Sequence, residues 1–280
     1  ELITDAAIGF LDEGGSAPFF LHIPYEDPHP PYMAPAPFDT MYSPDGVVLP
    51  PAPNWDRATR RLAQLSKEAG MDLCDAAQVR RVMAMYYGMI SYVDGQFVRL
   101  LDHLERRGVL DNTWIFYVAD HGDFTGEHGM MTKAEMFYDC LVHVPLVVRP
   151  PKGMMRAGTR CDDLVELVDL FPSICDAAGV DTGKDACGRS FLPWARGEGK
   201  ELFREAVFGA VGGNTRVSVH NLPQGIAVSS RLSGVATMVR TRKGKLIQNP
   251  DENELYLLGE DPWELENRYG QADVADVQAD

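Results

Sequence analysis

Between Val79 and Leu104 apolar side chains return every three or four positions, at Val79, Val82, Tyr86, Met89, Ile90, Val93, Phe97, Leu100, Leu101 and Leu104. That spacing predicts an amphipathic helix of roughly eight turns at ~3.6 residues each. Asp75 and Gln78 stand at capping-box spacing before it, and Gly108 ends it. Residues 114–119 and 144–148 are short runs with no polar face, which predicts strands covered on both sides in a parallel or mixed sheet. Residues 19–23, bracketed by Pro18 and Pro24, read as another buried strand. Thr4 is placed to cap a helix over residues 5–13, closed by Gly14 and Gly15. Asp169 is placed to cap a helix with Pro172 in its first turn and Gly179 at its end.

The pattern changes near Arg196. Residues 206–211, 235–240, 245–248 and 255–258 read as short strands, with Lys243-Gly244 turning a hairpin. Asp261-Pro262-Trp263-Glu264 reads as the opening of a last helix. Strand–helix alternation followed by a run of strands predicts an α/β layer over residues 1–195 and a small antiparallel α+β subdomain over residues 196–280. Residues 24–56 hold ten closely spaced prolines, including Pro28, Pro30 and Pro31. Proline removes backbone donors, so a long irregular loop is expected there, and such loops inside compact domains are usually functional.

Composition narrows the partners. The chain has 280 residues, 45% hydrophobic and 24% charged, with a net charge of −15. Such acidity argues against a nucleic-acid groove, although a bound metal can invert the charge of a pocket. No apolar run approaches the ~20 residues of a membrane-spanning helix. Five cysteines without a C-x-x-C pair read as free, mostly buried thiols. The first residue is Glu1, with no basic or apolar leader, so compartment is not legible. Because the first residues already belong to a helix, the sequence is expected to be a piece of something longer. Oligomeric state is not legible.

Candidate chemistry concentrates after the 114–119 strand, in Asp120-His121-Gly122-Asp123, Gly126-Glu127-His128-Gly129 and Lys133. Ligands of α/β sheets bind beyond the carboxyl ends of strands. A carboxylate beside an imidazole can ligate a divalent cation, and Lys133 can fold back as a positive charge for an anion. Equally, Asp120 can cap its loop while His121 bonds backbone. His29, in Asp27-Pro28-His29-Pro30-Pro31, sits on a stiff backbone from which imidazole could protonate a leaving oxygen, or it is a surface residue. His22 and His143 read as structural, His103 as lying on the polar side of the long helix, and His128 as orienting its loop. His220 and the acidic tail, Asp273, Asp276 and Asp280, read as exposed.

Taken in order, these segments resemble the formylglycine-dependent sulfatases of the alkaline phosphatase superfamily. The resemblance runs through Phe19-Phe20-Leu21 with Pro28-His29-Pro30, Tyr86-Tyr87 to Asp94, and Asp120-His121-Gly122 to Lys133. It continues through Val144-Pro145-Leu146, Asp169-Leu170-Phe171-Pro172 and Glu254-Leu255-Tyr256 with Asp261-Pro262. It implies an alkaline-phosphatase-like mixed sheet flanked by helices. It also implies that Asp120 and His121 are metal ligands, usually of Ca²⁺, with Mg²⁺ or Mn²⁺ the alternatives. Lys133 would bind sulfate, and His29 would contact sulfate and serve the leaving group. The implied partner is a sulfate-ester small molecule or glycan, without nucleic acid or membrane span.

One departure stands out. The nucleophile motif C/S-x-P-S-R is absent: Ser16-Ala17-Pro18 begins like it, but Phe20 stands at the arginine. The family's paired N-terminal aspartates are missing too. The chain therefore reads as the C-terminal portion of a sulfatase, inactive by itself, with the formylglycine expected in the preceding part. A phosphonate or phosphate diester hydrolase of the same superfamily, and a non-catalytic binder of sulfated ligands, are the competing readings.

Overall fold

The structure, a computed structural model, describes residues 1–71, 74–155, 158–184, 186–196, 198, 203–212 and 235–274. The chain divides into two compact units. One comprises residues 1–50, 73–116 and 148–153, and the other residues 51–72, 117–147 and 154–280.

The first unit is built on the long helix, α3 (Ala76–Arg106), which follows α1 (Leu2–Glu13) and α2 (Arg60–Glu68) in the chain. The capping box forms: Gln78 N–H donates to Asp75 Oδ1 (2.7 Å) and Asp75 N–H to Gln78 Oε1 (2.8 Å). α1 packs Ala7 and Leu11 against Leu100 and Leu104 of α3. It starts earlier than the sequence suggests. Thr4 does not cap it; Thr4 shares the buried stripe with Ala7 and Leu11, and its hydroxyl lies 3.1 Å from the Tyr25 hydroxyl. His103 is likewise buried rather than on a polar face, because it neighbours Leu100 and Leu104 on the stripe that meets α1, with Nε2 3.0 Å from Asp12 Oδ1.

Residues 19–23 form no strand. Leu21 and Ile23 turn onto the α1–α3 cluster, while Phe20 (74% exposed) and His22 face outward. The segment has no ladder partner among the described residues, so alternate side chains stay uncovered. The proline-rich segment is irregular as expected, with single 3₁₀ turns at Phe38–Thr40 and Pro44–Gly46. It lies against α3 where Gly88 removes the obstacle: a Cβ there would sit 2.2 Å from the Phe38 carbonyl oxygen.

β1 (Ile115–Val118), β2 (Phe124–Thr125), β3 (Met131–Thr132) and β4 (Leu146–Arg149) follow. β1 pairs with β4 and β2 with β3. β1 and β4 are not covered on both sides: Val118 and Val147 (60% exposed) face outward, because a two-stranded ladder leaves part of its surface open.

The second unit adds α4 (Asp139–Val142), α5 (Leu170–Ala178) and α6 (Leu192–Ala195). α2 also belongs here and was not anticipated; Thr59 caps it by accepting from Leu62 N–H (3.2 Å). Asp169 precedes α5 but does not cap it with its side chain. Its buried carboxylate instead takes the Arg204 guanidinium and the Arg189 N–H. Gly179 ends α5 in the left-handed region, φ 68°. β5 (Ala206–Gly212), β6 (Val235–Thr241), β7 (Lys245–Gln248) and β8 (Glu254–Tyr256) form an antiparallel meander in that order. Ala236, Met238, Ile247 and Tyr256 of its inner face pack on Phe124, Phe137, Tyr138 and Leu141. No last helix opens at Asp261. Residues 261–264 make a turn in which Glu264 takes φ 55° and sends its carboxylate inward.

Among the described residues no helix is long and apolar enough to cross a membrane. None of the five cysteines is in a disulfide, but Cys74, Cys161 and Cys187 are exposed rather than buried. His220, Asp276, Asp280 and the Asp273 side chain lie outside the described residues.

Candidate active site

The chain leaves β1 at Val118 and turns immediately. Gly122 makes the turn, donating its N–H to the Leu141 carbonyl of α4 (2.7 Å). A Cβ there would fall 2.0 Å from the Cys140 oxygen, so only glycine fits. His121 is held just before this point. Its Nδ1 lies 2.8 Å from the Gly122 carbonyl oxygen. A carbonyl only accepts, so Nδ1 donates in this contact and Nε2 is the nitrogen turned outward. Metal-binding histidines are commonly oriented by this kind of backbone bond.

Two groups meet at Nε2. Lys133 Nζ lies 3.0 Å from Nε2, and Asp120 Oδ2 lies 3.6 Å from it. Asp120 Oδ1 accepts the His121 N–H (2.9 Å), which aligns the carboxylate with its neighbour. Lys133 arrives through the short β2–β3 ladder, in which Phe124 opposes Thr132. The return loop depends on Gly126 at φ 118° and Gly129 at φ 61°. Glu127 ties it down by accepting the Thr125 N–H (2.6 Å). His128 stacks on Tyr138 at 3.8 Å between ring centroids. Burial drives its pKa down to about 4, so it anchors the loop as a neutral ring.

The Asp120 side chain is 87% exposed and that of His121 37%, so the pair is open to a ligand. Oxygen and nitrogen donors 3.6 Å apart can both reach one cation at ~2.3–2.6 Å. Two donors are all they provide; among the described residues no three His, Cys, Asp or Glu are grouped to hold a metal. His29 belongs to the other unit. It is exposed, its N–H donates to the Glu26 carbonyl (2.9 Å), and its Nδ1 lies 2.7 Å from the Pro30 oxygen. The proline frame thus orients the ring, with Nε2 left outward.

A buried charged cluster was missed in the sequence. Lys245 of β7 is fully buried, with Nζ 2.7 Å from the Phe137 oxygen and 2.6 Å from Glu264 Oε1, and it also reaches Asp139. Arg240 brackets the same Asp139 carboxylate at 2.9 and 3.1 Å. Burial raises the Asp139 pKa, but the bond from Arg240 and the charge of Lys245 outweigh it and hold it below its usual value. Burial pushes Glu264 up to about 6 against the pull of Lys245. The available signal was positional: Lys245 occupies the same inward-facing register as Ile247. Asp139, Arg240, His128 and Glu264 line a cavity of about 490 Å³, with Trp263 also on its wall.

Two family profiles match the chain: Sulfatase over residues 1–180, and the C-terminal region of N-sulphoglucosamine sulphohydrolase over residues 126–280. The N-acetylglucosamine-6-O-sulfatase of Bacteroides thetaiotaomicron is 33% identical over 234 residues, covering 80% of this chain and 39% of that protein. The multifunctional alkaline phosphatase superfamily protein PehA of Trinickia caryophylli is 30% identical over 216 residues, covering 70% of this chain and 41% of that protein. The chain thus spans well under half the length of these two relatives. Among solved structures, the phosphonate monoester hydrolase of Agrobacterium radiobacter superposes with a TM-score of 0.79 at 27% identity, covering 99% of this chain and 57% of that one. A protein solved with its substrate D-glucosamine-2-N,6-O-disulfate gives 0.71 at 25%, covering 99% and 66%. The expected alkaline-phosphatase-like fold, mixed helix and sheet with an antiparallel C-terminal sheet, is therefore the observed one. Because the sulfatase profile spans more than half of its residues, the chain belongs to the sulfatase family of the alkaline phosphatase superfamily.

Proposed function

We propose that this chain is the metal- and anion-binding C-terminal portion of a sulfuric ester hydrolase. The observation that carries the reading is the convergence of three side chains: His121 Nε2 lies 3.0 Å from the Lys133 ammonium and 3.6 Å from the Asp120 carboxylate. In this reading Asp120 and His121 hold a divalent cation, with Ca²⁺ first and Mg²⁺ or Mn²⁺ as alternatives. When bound, the cation would supply Lewis-acid charge toward sulfate oxygens. Lys133 binds a sulfate oxygen and stabilises the charge that persists through the reaction. His29 contacts the sulfate and, as imidazolium, donates from Nε2 to the departing oxygen.

The nucleophile, a formylglycine, is assigned to sequence outside this chain, so the chain alone has no turnover. Residues 1–195 form the catalytic-layer portion and residues 196–280 the small sheet subdomain of the enzyme. A sulfated sugar is the favoured substrate class, since the relatives include a glucosamine-derivative sulfatase and a structure holding a disulfated glucosamine.

A phosphonate monoester hydrolase is the second reading, favoured by the TM-score of 0.79 to such an enzyme. Both chemistries place a tetrahedral oxyanion between a metal and cations. The test is kcat/KM of the full-length protein on paired aryl sulfate and aryl phosphonate esters. A higher value on the sulfate supports the first reading, a higher value on the phosphonate supports the second, and no turnover of either overturns both.

A further inference from the structure

We propose that Lys245 and Glu264, far along the chain from the Asp120–His121 pair, are positioning residues for it and act through α4. The inference rests on reading that pair as the metal end of the active site.

The path consists of short, directional contacts. The Glu264 carboxylate accepts the Asp139 N–H at 2.6 Å and so satisfies a free donor at the start of α4. Lys245 Nζ donates to the Phe137 oxygen, just ahead of that helix, while also bonding the Asp139 carboxylate and Glu264. Arg240 holds the Asp139 carboxylate from its other side. Residues 137–139 are thereby tied at two backbone groups and one side chain. At the other end of α4, the Leu141 carbonyl accepts the Gly122 N–H, and the Cys140 carbonyl leaves Gly122 no room to shift. The Gly122 carbonyl then accepts the His121 Nδ1–H. A displacement of α4 therefore reaches the His121 ring through two hydrogen bonds.

Buried charges are a poor source of stability compared with well-packed apolar groups of the same volume. What they add is direction: Lys245 and Glu264 place particular backbone groups at particular distances, which an apolar pair would not. Tyr138 and Phe137 already supply apolar packing at this point.

The test uses this chain as it stands, with Glu264→Gln and the double variant Lys245→Met/Glu264→Leu. The double variant replaces the ion pair by apolar volume and keeps the experiment interpretable if the single change unfolds the protein. Ile247→Val, on the same strand face, is the control for general loosening of the core. Hydrogen exchange of the Gly122 amide and the Nδ1–H tautomer population of His121, both read by NMR, are the observables. In the charge variants, exchange at Gly122 is expected to rise by about tenfold, with a mixed His121 tautomer, while Ile247→Val leaves both near the parent. The proposal is overturned if the charge variants leave both readouts unchanged or if Ile247→Val moves them equally. Neither readout uses turnover, so failure of the hydrolase reading would show separately, in the paired-substrate assay.

Discussion

Lys133 and a divalent cation compete for the same lone pair on His121 Nε2. Removing the ammonium should therefore strengthen cation binding while weakening anion binding. Titration calorimetry is expected to give weak Ca²⁺ affinity for this chain, since Asp120 and His121 provide two of the 6–8 ligands Ca²⁺ takes. Lys133→Met should tighten it by up to ~10-fold, the effect of one nearby positive charge at a partly exposed site. Sub-micromolar affinity in the parent chain would mean that another ligand set is present. For His29 the informative comparison is between leaving groups. In the full-length enzyme His29→Ala should lower kcat/KM by ~10²–10⁴ on an alkyl or sugar sulfate and far less on a nitrophenyl sulfate, whose oxygen leaves without a proton. Equal losses would remove the acid role. The residue types at these positions were legible in the sequence because a carboxylate, imidazole and ammonium follow one strand end. The His121 tautomer was not, because it depends on a carbonyl whose direction is set by contact with α4.

At the scale of elements, what was legible depended on whether a signal was local. The α3 capping box and the four strands of the meander rest on neighbouring residues, and they form. The strand expected at residues 19–23 and the helix expected at Asp261 rest on decisions made elsewhere. The first lacks a ladder partner among the described residues, and in the second Glu264 turns inward to meet Lys245. That inward turn has a pH signature. Glu264, raised from 4.5 to about 6, binds more protons folded than unfolded, so its contribution is full below pH 4.5 and is lost as pH rises through 6. Glu254, raised by burial, acts in the same direction. His128, lowered from 6.5 to about 4, binds fewer protons folded, so its contribution is full above pH 6.5 and is lost as pH falls through 4. The two slopes oppose each other between pH 4.5 and 6. Urea denaturation should thus show a shallow stability profile there in the parent. His128→Gln should turn it downward with rising pH and Glu264→Gln upward, by about 1–2 kcal/mol across the window. Unchanged slopes in both variants would refute the assignment of these groups.

At the scale of the molecule, the five thiols report on the arrangement of the chain. Burial against the Phe124, Tyr138 and Leu141 cluster pushes the Cys140 thiol well up from its ordinary value, whereas Cys74, Cys161 and Cys187 are exposed. Iodoacetamide at neutral pH should modify Cys74 and Cys187 rapidly, Cys161 more slowly because burial raises its thiol pKa, and Cys140 only on unfolding, as peptide mass mapping would show. Rapid labelling of native Cys140 would mean that the α4–Gly122 contact opens readily. The class of fold was legible from the order of elements. The two compact units are discontinuous in the chain: residues 148–153 return to the first from far along it, and sequence neighbourhood carries no trace of that.

The β2–β3 register has a consequence for how this protein can vary. Lys133 follows directly on Thr132, which pairs with Phe124 and takes φ 64°, so the chain is re-aimed just before the ammonium. Residues added at the loop tip would lengthen the loop and leave that pairing in place, whereas a one-residue slip of the pairing itself would carry Lys133 away from His121. Natural variation in this hairpin should therefore be filtered at the paired residues and at Thr132, while the length of the loop tip is left free to drift.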